Sequence, residues 1–260
     1  MISQLKKMTF VPSRDLQGPF IFAVDHCFSI KGQGTIMTGT VLSGRVQVNS
    51  TVEIATLKEV RKVKSIQIFR EPTSEACQGD RAGICVTQFD SSLLERGLVS
   101  SPGLLPTALA MIIHLNKIRY YKGDIVSGAK FHVSIGHATI LATVTLFSND
   151  TIDSQTDFSF DNCYAYVPSL SELPAESAVY ALLELDHPTV VALNSKVLGS
   201  KLDTDVHTTT CRLAFEGRML LPMTNPSYKN EELSKLRVFK LKEKCGVIER
   251  ANNDLSLIHI

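Results

Sequence analysis

Along much of the chain, apolar and polar residues alternate. KVKSIQI (62–68) switches at nearly every step, and TVEI (51–54) does so more briefly. A period of two is the mark of a half-buried strand. Short β-branched or alternating runs lie at 20–24, 35–42, 46–48, 52–54, 62–69 and 83–86, with LSGRV (42–46) as a turn. Strands at this spacing predict an antiparallel barrel or sandwich over about residues 18–99. Within it, SSLLERG (91–97) predicts one capped helical turn, with serine as cap, Glu95 near the third position and glycine as stop. SPGLLP (101–106) breaks the pattern with two prolines and a glycine and marks a boundary.

A second strand-rich region follows, with runs at 108–115, 130–135, 139–147, 177–185, 190–193 and 208–215. Between 147 and 177 the chain is rich in Ser, Asp, Asn and Thr and reads as a long loop or insertion. From about residue 225 the character changes again. KLRVFKLKEKCGVIER (235–250) is strand-like and basic, through Lys235, Arg237, Lys240, Lys242 and Lys244. Such a strand is either a phosphate-contacting edge or a solvated edge guarded by lysines, and the local pattern favours the second. The region is too small to bury a core alone.

Composition narrows the class. The chain has 260 residues, 44% hydrophobic and 20% charged, which suits a globular protein with a sizeable core. A net charge of +1 gives no global drive toward nucleic acid or membrane, so any such contact must be local. From 131 to 195 there are eight acids and no Lys or Arg, a face that repels phosphates. The six cysteines form no CxxC motif and read as free, mostly buried thiols of a reduced, cytoplasmic protein. MISQLKKMTF has no apolar run of a secretory signal, and no stretch of about 18 apolar residues suggests a membrane span.

Candidate chemistry gathers in VDHCFSIKGQGTIMTGT (24–40). The glycines at 34 and 39 are spaced as in a phosphate loop, but Thr40 stands where lysine must be and no helix follows. The glycines fit turn and close-packing positions of a hairpin better. His26 and Cys27 suggest a nucleophile and base, yet neighbours in a strand point to opposite faces. The histidines match no metal-binding spacing, so neither a catalytic residue nor a metal is assigned. Asp25 and His26, with Arg81 of CQGDRAGICV, are either plain surface residues or a polar pocket at the mouth of a barrel. The residues alone leave both readings open.

GPFIFAVDHCFSIKGQGTIMTGTVLSG, VKSIQIF, QGDRAGICV and LLERGLV resemble domain II of translational GTPases. Together with KFHVSIGHATI, SKLDTDVHTTTCRLAF and LRVFKLKEKCGVIERA they resemble, over nearly the whole chain, the eukaryotic selenocysteine-specific elongation factors. The resemblance implies an all-β fold of two consecutive antiparallel barrels. It divides the chain into a linker (1–14), domain II (15–104), domain III (105–222, with an insertion near 149–177) and the start of domain IV (223–260). The family opens with a GTPase domain whose P-loop, DxxG and NKxD motifs are absent here, so the expectation is a fragment that is not an enzyme. GTP and Mg belong to that other domain, and no cofactor is expected in this chain.

The implied partners are selenocysteinyl-tRNA, the ribosome, and the selenocysteine insertion element RNA with its binding protein. Domain II would hold the aminoacyl end and domain III the tRNA arms. A general elongation factor, an initiation-factor γ-type carrier, a protein-binding barrel adaptor and a Cys27 hydrolase are the competing expectations. The family's amino-acid pocket falls on Asp25, His26 and Arg81. A selenol ionises near neutral pH where a serine hydroxyl does not, and a cationic Arg81 would favour the anion. A gain of about 3 kcal/mol would give about a hundredfold preference for selenocysteine.

Overall fold

The computed structural model describes residues 2–10, 12–149, 158–174, 177–203, 210–242 and 246. A short helix, α1 (Ile2–Met8), comes first and buries none of its residues. Nine strands follow: β1 (Ile21–Ile30), β2 (Gly34–Ser43), β3 (Arg45–Gln47), β4 (Thr51–Ile54), β5 (Glu59–Ile68), β6 (Glu71–Thr73), β7 (Glu75–Cys77), β8 (Arg81–Val86) and β9 (Gly97–Ser100). The order β4-β9-β1-β2-β8-β5 returns to β4 through the β4–β5 pairing, so six antiparallel strands close a barrel. β6 extends β5 as a hairpin, and β3 with β7 forms a separate ribbon. The alternation explains the inside: β2 buries Thr35, Met37, Gly39 and Val41 and turns Ile36, Thr38 and Thr40 outward. Phe22, Val24, Met37, Val41, Ile54, Ile66, Ile84 and Val99 make the core.

The second barrel is built from β10 (Thr107–Lys117), β11 (Lys130–Ile135), β12 (Ala138–Ser148), β14 (Val179–Val190), β15 (Lys196–Ser200) and β16 (Leu213–Met223). The order β11-β15-β16-β10-β14-β12 closes through the β11–β12 pairing. Its lumen holds Met111, Ile113, Phe131, Val144, Leu183 and Phe215. β10 is apolar on both faces because its outer side is covered as well. Ala110 and Ile112 join Phe147, Tyr164, Tyr180, Leu182, Met223 and Tyr228 in a smaller outer core. That layer is supplied by β13 (Cys163–Val167), the helix α2 (Tyr228–Glu231) and residues around 233–236. β17 (Arg237–Phe239) pairs in parallel with β13 and ends the sheet.

Several local expectations are corrected. The segment near 149–177 is more than a loop: within it β13 pairs with Leu146–Ser148 of β12 and seats Tyr164 in the outer core. Residues 150–157 and 175–176 of that segment lie outside the described residues. The turn at Ser91–Leu93 is a 3₁₀ turn capped by Asp90, whose carboxylate accepts from the Ser92 N–H, so the cap is one residue earlier than the serine. The expected strand at 190–193 ends at Val190, and β15 lies further on. The thiols are less buried than composition suggests: Cys85 is buried, Cys27, Cys77 and Cys211 are partly exposed, and Cys163 is exposed. No described helix is long and apolar enough to cross a membrane.

Candidate functional site

Asp25 owes its position to an irregularity in β1. Val24 pairs with Gly39 and His26 with Thr38, so Asp25 is an extra residue opposite a single step of β2. This bulge resets the alternation of the strand. Phe22 and Val24 point into the core before it, and Cys27 packs against the core after it. Asp25 and His26 therefore both face outward, which a regular strand forbids for neighbours. Gly39 is what allows the bulge, since a Cβ there would collide with the Ala23 carbonyl oxygen.

Arg81 is set by the turn before it. Gly79 takes a φ of 88°, the Asp80 N–H donates to the Cys77 carbonyl, and the Asp80 carboxylate accepts from the Cys77 N–H at 2.9 Å. Asp80 also holds Arg14 at 2.8 Å. β8 then starts with Arg81 opposite Thr40 of β2, which is itself opposite Ala23 of β1. Arg81 is thus two strands from β1 on the same outer wall, rather than across the lumen. Its Nη1 lies 2.7 Å from Asp25 Oδ2, and it donates to Thr40 Oγ1 at 3.4 Å. The patch therefore sits on the outer wall of the first barrel, not at its mouth.

The structure brings Asp25 and Arg81 into an ion pair. His26 stands beside them on the same wall, exposed, and among the described residues its imidazole has no hydrogen-bond partner. Arg81 is 63% exposed and Asp25 32%, so water reaches the pair. Thr40 was not singled out in the sequence, since a strand threonine carries no signal of its own. Cys27 is poorly suited to nucleophilic chemistry: burial first, then the nearby Asp90 charge, push its thiol up to about 11, so it stays protonated near neutral pH. Among the described residues no group of three or more His, Cys, Asp or Glu is placed to hold a metal.

Of the basic C-terminal residues, Lys235 ends a short 3₁₀ turn, Arg237 lies on β17 and Lys240 stands over the Tyr166 ring at 5.0 Å. Lys242 is exposed, and Lys244 lies outside the described residues. Arg237 is thus on the strand that ends the second barrel's sheet, far along the chain from Asp25.

This barrel pair with its polar wall has relatives. Residues 112–217 match the family model for the third domain of eukaryotic selenocysteine-specific elongation factors, and residues 34–99 match elongation factor Tu domain 2. A selenocysteine-specific elongation factor of Mus musculus is 42% identical across 99% of this chain and 49% of its own length. The chain belongs to the selenocysteine-specific elongation factors. A member of that family from Methanocaldococcus jannaschii is 29% identical over 80% of this chain and 42% of its own length. The chain thus spans about half the length of the curated selenocysteine-specific elongation factors it matches. The apo elongation factor SelB of Methanococcus maripaludis shares the fold, with a TM-score of 0.74 at 24% identity over 92% of this chain and 48% of its own. The same factor in complex with the GTP analogue GppNHp gives 0.73 at 25% identity over 92% of this chain and 49% of its own. The matched regions are non-GTPase domains of a translational GTPase family.

Proposed function

We propose that this chain is the tRNA-carrying part of a cytoplasmic selenocysteine-specific elongation factor, with selenocysteinyl-tRNA as its ligand and the ribosome as its destination. The first barrel holds the aminoacyl end, and the second supports the tRNA arms. No catalytic step and no cofactor are assigned to its own residues. The observation that supports this reading is the Asp25–Arg81 pair, exposed on one wall with His26 beside it.

Arg81 presents about five N–H donors, and Asp25 uses only one edge of them. The remainder is open to an anion such as a selenolate. Two unit charges at about 4 Å attract by up to about 4 kcal/mol at an effective dielectric of about 20. That value is too large here, because Asp25 already neutralises Arg81 and water screens both. A charge-assisted hydrogen bond of about 1.5 kcal/mol is the better measure, equal to about a tenfold preference for selenocysteine over serine. Asp25 keeps the guanidinium aligned, and His26 offers a second polar side chain beside the anion's place.

The test is filter binding of selenocysteinyl-tRNA and seryl-tRNA to the chain and to Arg81→Ala. The expected result is loss of about tenfold in the ratio of the two affinities. An unchanged ratio would remove Arg81 from the amino-acid seat.

A further inference from the structure

The second barrel also reaches this wall. Gly136 and His137 form the two-residue tip of the β11–β12 hairpin, closed by the Ile135–Ala138 pair. Gly136 has a φ of 58° and His137 has no positive φ, so the left-handed angle falls on the first central residue, where a type II′ turn takes glycine. The turn holds His137 in the second position. Its Nε2 lies 3.9 Å from Asp25 Oδ1, on the carboxylate oxygen that Arg81 leaves open. One carboxylate is bracketed by two nitrogen groups, one from each barrel. At 3.9 Å the two are too far apart for a direct hydrogen bond, and one bridging water can span them.

The place of contact matters. Asp25 is the bulge residue of β1, where ladder hydrogen bonds are locally missing and the backbone is least constrained. A tether on its side chain therefore decides where the carboxylate points. Beside it, a cleft of about 300 Å³ between the barrels is lined by Arg96, Gly97, Thr107, His137 and Thr189. Gly97 pairs with Val24, the residue just before Asp25, so the cleft opens next to the bulge. Both partners remain exposed to water, 28% for His137 and 32% for Asp25. A pair so exposed adds little to folding, and its consequence falls on the geometry of Asp25.

We infer that His137 is a positioning residue for the amino-acid seat: from the second barrel it fixes the Asp25 carboxylate, and through it Arg81. The inference rests on the reading of Asp25, His26 and Arg81 as that seat. With Oδ1 held by His137, Asp25 is confined to one orientation and shares its charge between two partners. Arg81 is then aimed in one direction, with the N–H groups that Asp25 leaves unused open to an anionic side chain. Without His137, the Asp25 carboxylate is free to turn while paired with Arg81, and the guanidinium loses its fixed aim.

The experiment compares the chain with His137→Ala, His137→Gln and Arg81→Ala, by filter binding of selenocysteinyl-tRNA and seryl-tRNA and by thermal unfolding. His137→Ala should lower the affinity ratio about threefold, the scale of an exposed ion pair, with an unfolding midpoint close to that of the unaltered chain. His137→Gln keeps an N–H donor and should restore most of the ratio. A merely structural role would weaken both tRNAs equally and leave the ratio alone. That outcome, or an unchanged ratio in His137→Ala, while Arg81→Ala loses selectivity, overturns the inference and spares the seat. An unchanged ratio in Arg81→Ala, or a chain that binds neither tRNA, overturns the seat and the inference together.

Discussion

Gly39 sits where a Cβ would strike the Ala23 carbonyl oxygen, and Phe22 closes the same space from the side. Neither obstacle is a flexible side-chain end that swings away cheaply. Gly39→Ala must therefore push β1 off β2 at the bulge, at a cost of about 1–3 kcal/mol, as for overpacking elsewhere. Urea unfolding should show a lower midpoint, and the variant should also lose selectivity for selenocysteinyl-tRNA because Asp25 moves. A midpoint equal to that of the unaltered chain would show that the strand relaxes freely. Position 39 also shows what a residue pattern can tell and what it cannot. Reading the glycines of 24–40 as hairpin glycines was possible, because no lysine follows Gly39 and β-branched residues surround it. The bulge was not legible. An extra residue is invisible until the partner strand is known, and so is the outward turn of both Asp25 and His26. Arg81 could be listed as a candidate, but its grouping with Asp25 rested on family likeness, since its two-strand distance from β1 depends on pairing order.

Among the elements, β13 is the one that composition hid. Its five residues are flanked by Ser, Asp and Asn, which normally argue for a loop. What makes it a strand is tertiary: it continues the end of β12 and places Tyr164 against Phe147, Phe158 and Tyr180. The Tyr164 hydroxyl donates to the Ser159 carbonyl at 2.9 Å and accepts from the Ser159 N–H at 3.1 Å. Tyr164→Ala should cost about 3–5 kcal/mol, the range for removing a buried aromatic ring. Tyr164→Phe, which loses only the hydroxyl, should cost about 1 kcal/mol. Denaturant titration separates the two, and near-equal losses would put the hydroxyl above the ring packing. β14 was read only in its first half, as the strand expected at 177–185, for a different reason. It runs through Pro188, and its pairing jumps from Glu184 to Thr189 while β10 advances only from Ala110 to Ala108. A proline is tolerated where the ladder is already broken, so the pattern looked like two strands.

At the scale of the whole molecule, charge distribution bears on which surfaces could meet RNA if the proposed tRNA ligand holds. The acidic stretch 131–195 contains β13, and the basic β17 lies directly beside that strand. Lys240 is engaged by the Tyr166 ring of that strand, so the expectation is that Lys240 and Lys242 do not form a phosphate edge. The logarithm of the tRNA affinity should fall linearly with that of salt concentration, and Lys240→Ala with Lys242→Ala should leave the slope unchanged. If the two lysines touch phosphates, the slope should instead shrink by about 1.4–1.8. The strand-rich, antiparallel character was legible in the short alternating runs, but those fit a barrel or a sandwich alike, and closure into two barrels was expected only from the family resemblance. The approach of the second barrel's hairpin to the first was not, because no local pattern records how two closed sheets lie together. The single extra residue at position 25 has one more consequence. It works like a frame offset within one strand: upstream residues are read in one parity and downstream residues in the other. Deleting one residue there would restore a single parity along β1. Cys27 would still face the core and Phe28 the outer wall, and only one of the two neighbours Asp25 and His26 would be left to face outward. The extra residue is thus a one-residue splice: it adds a second outward side chain to the polar wall and leaves the core sequence on either side unchanged.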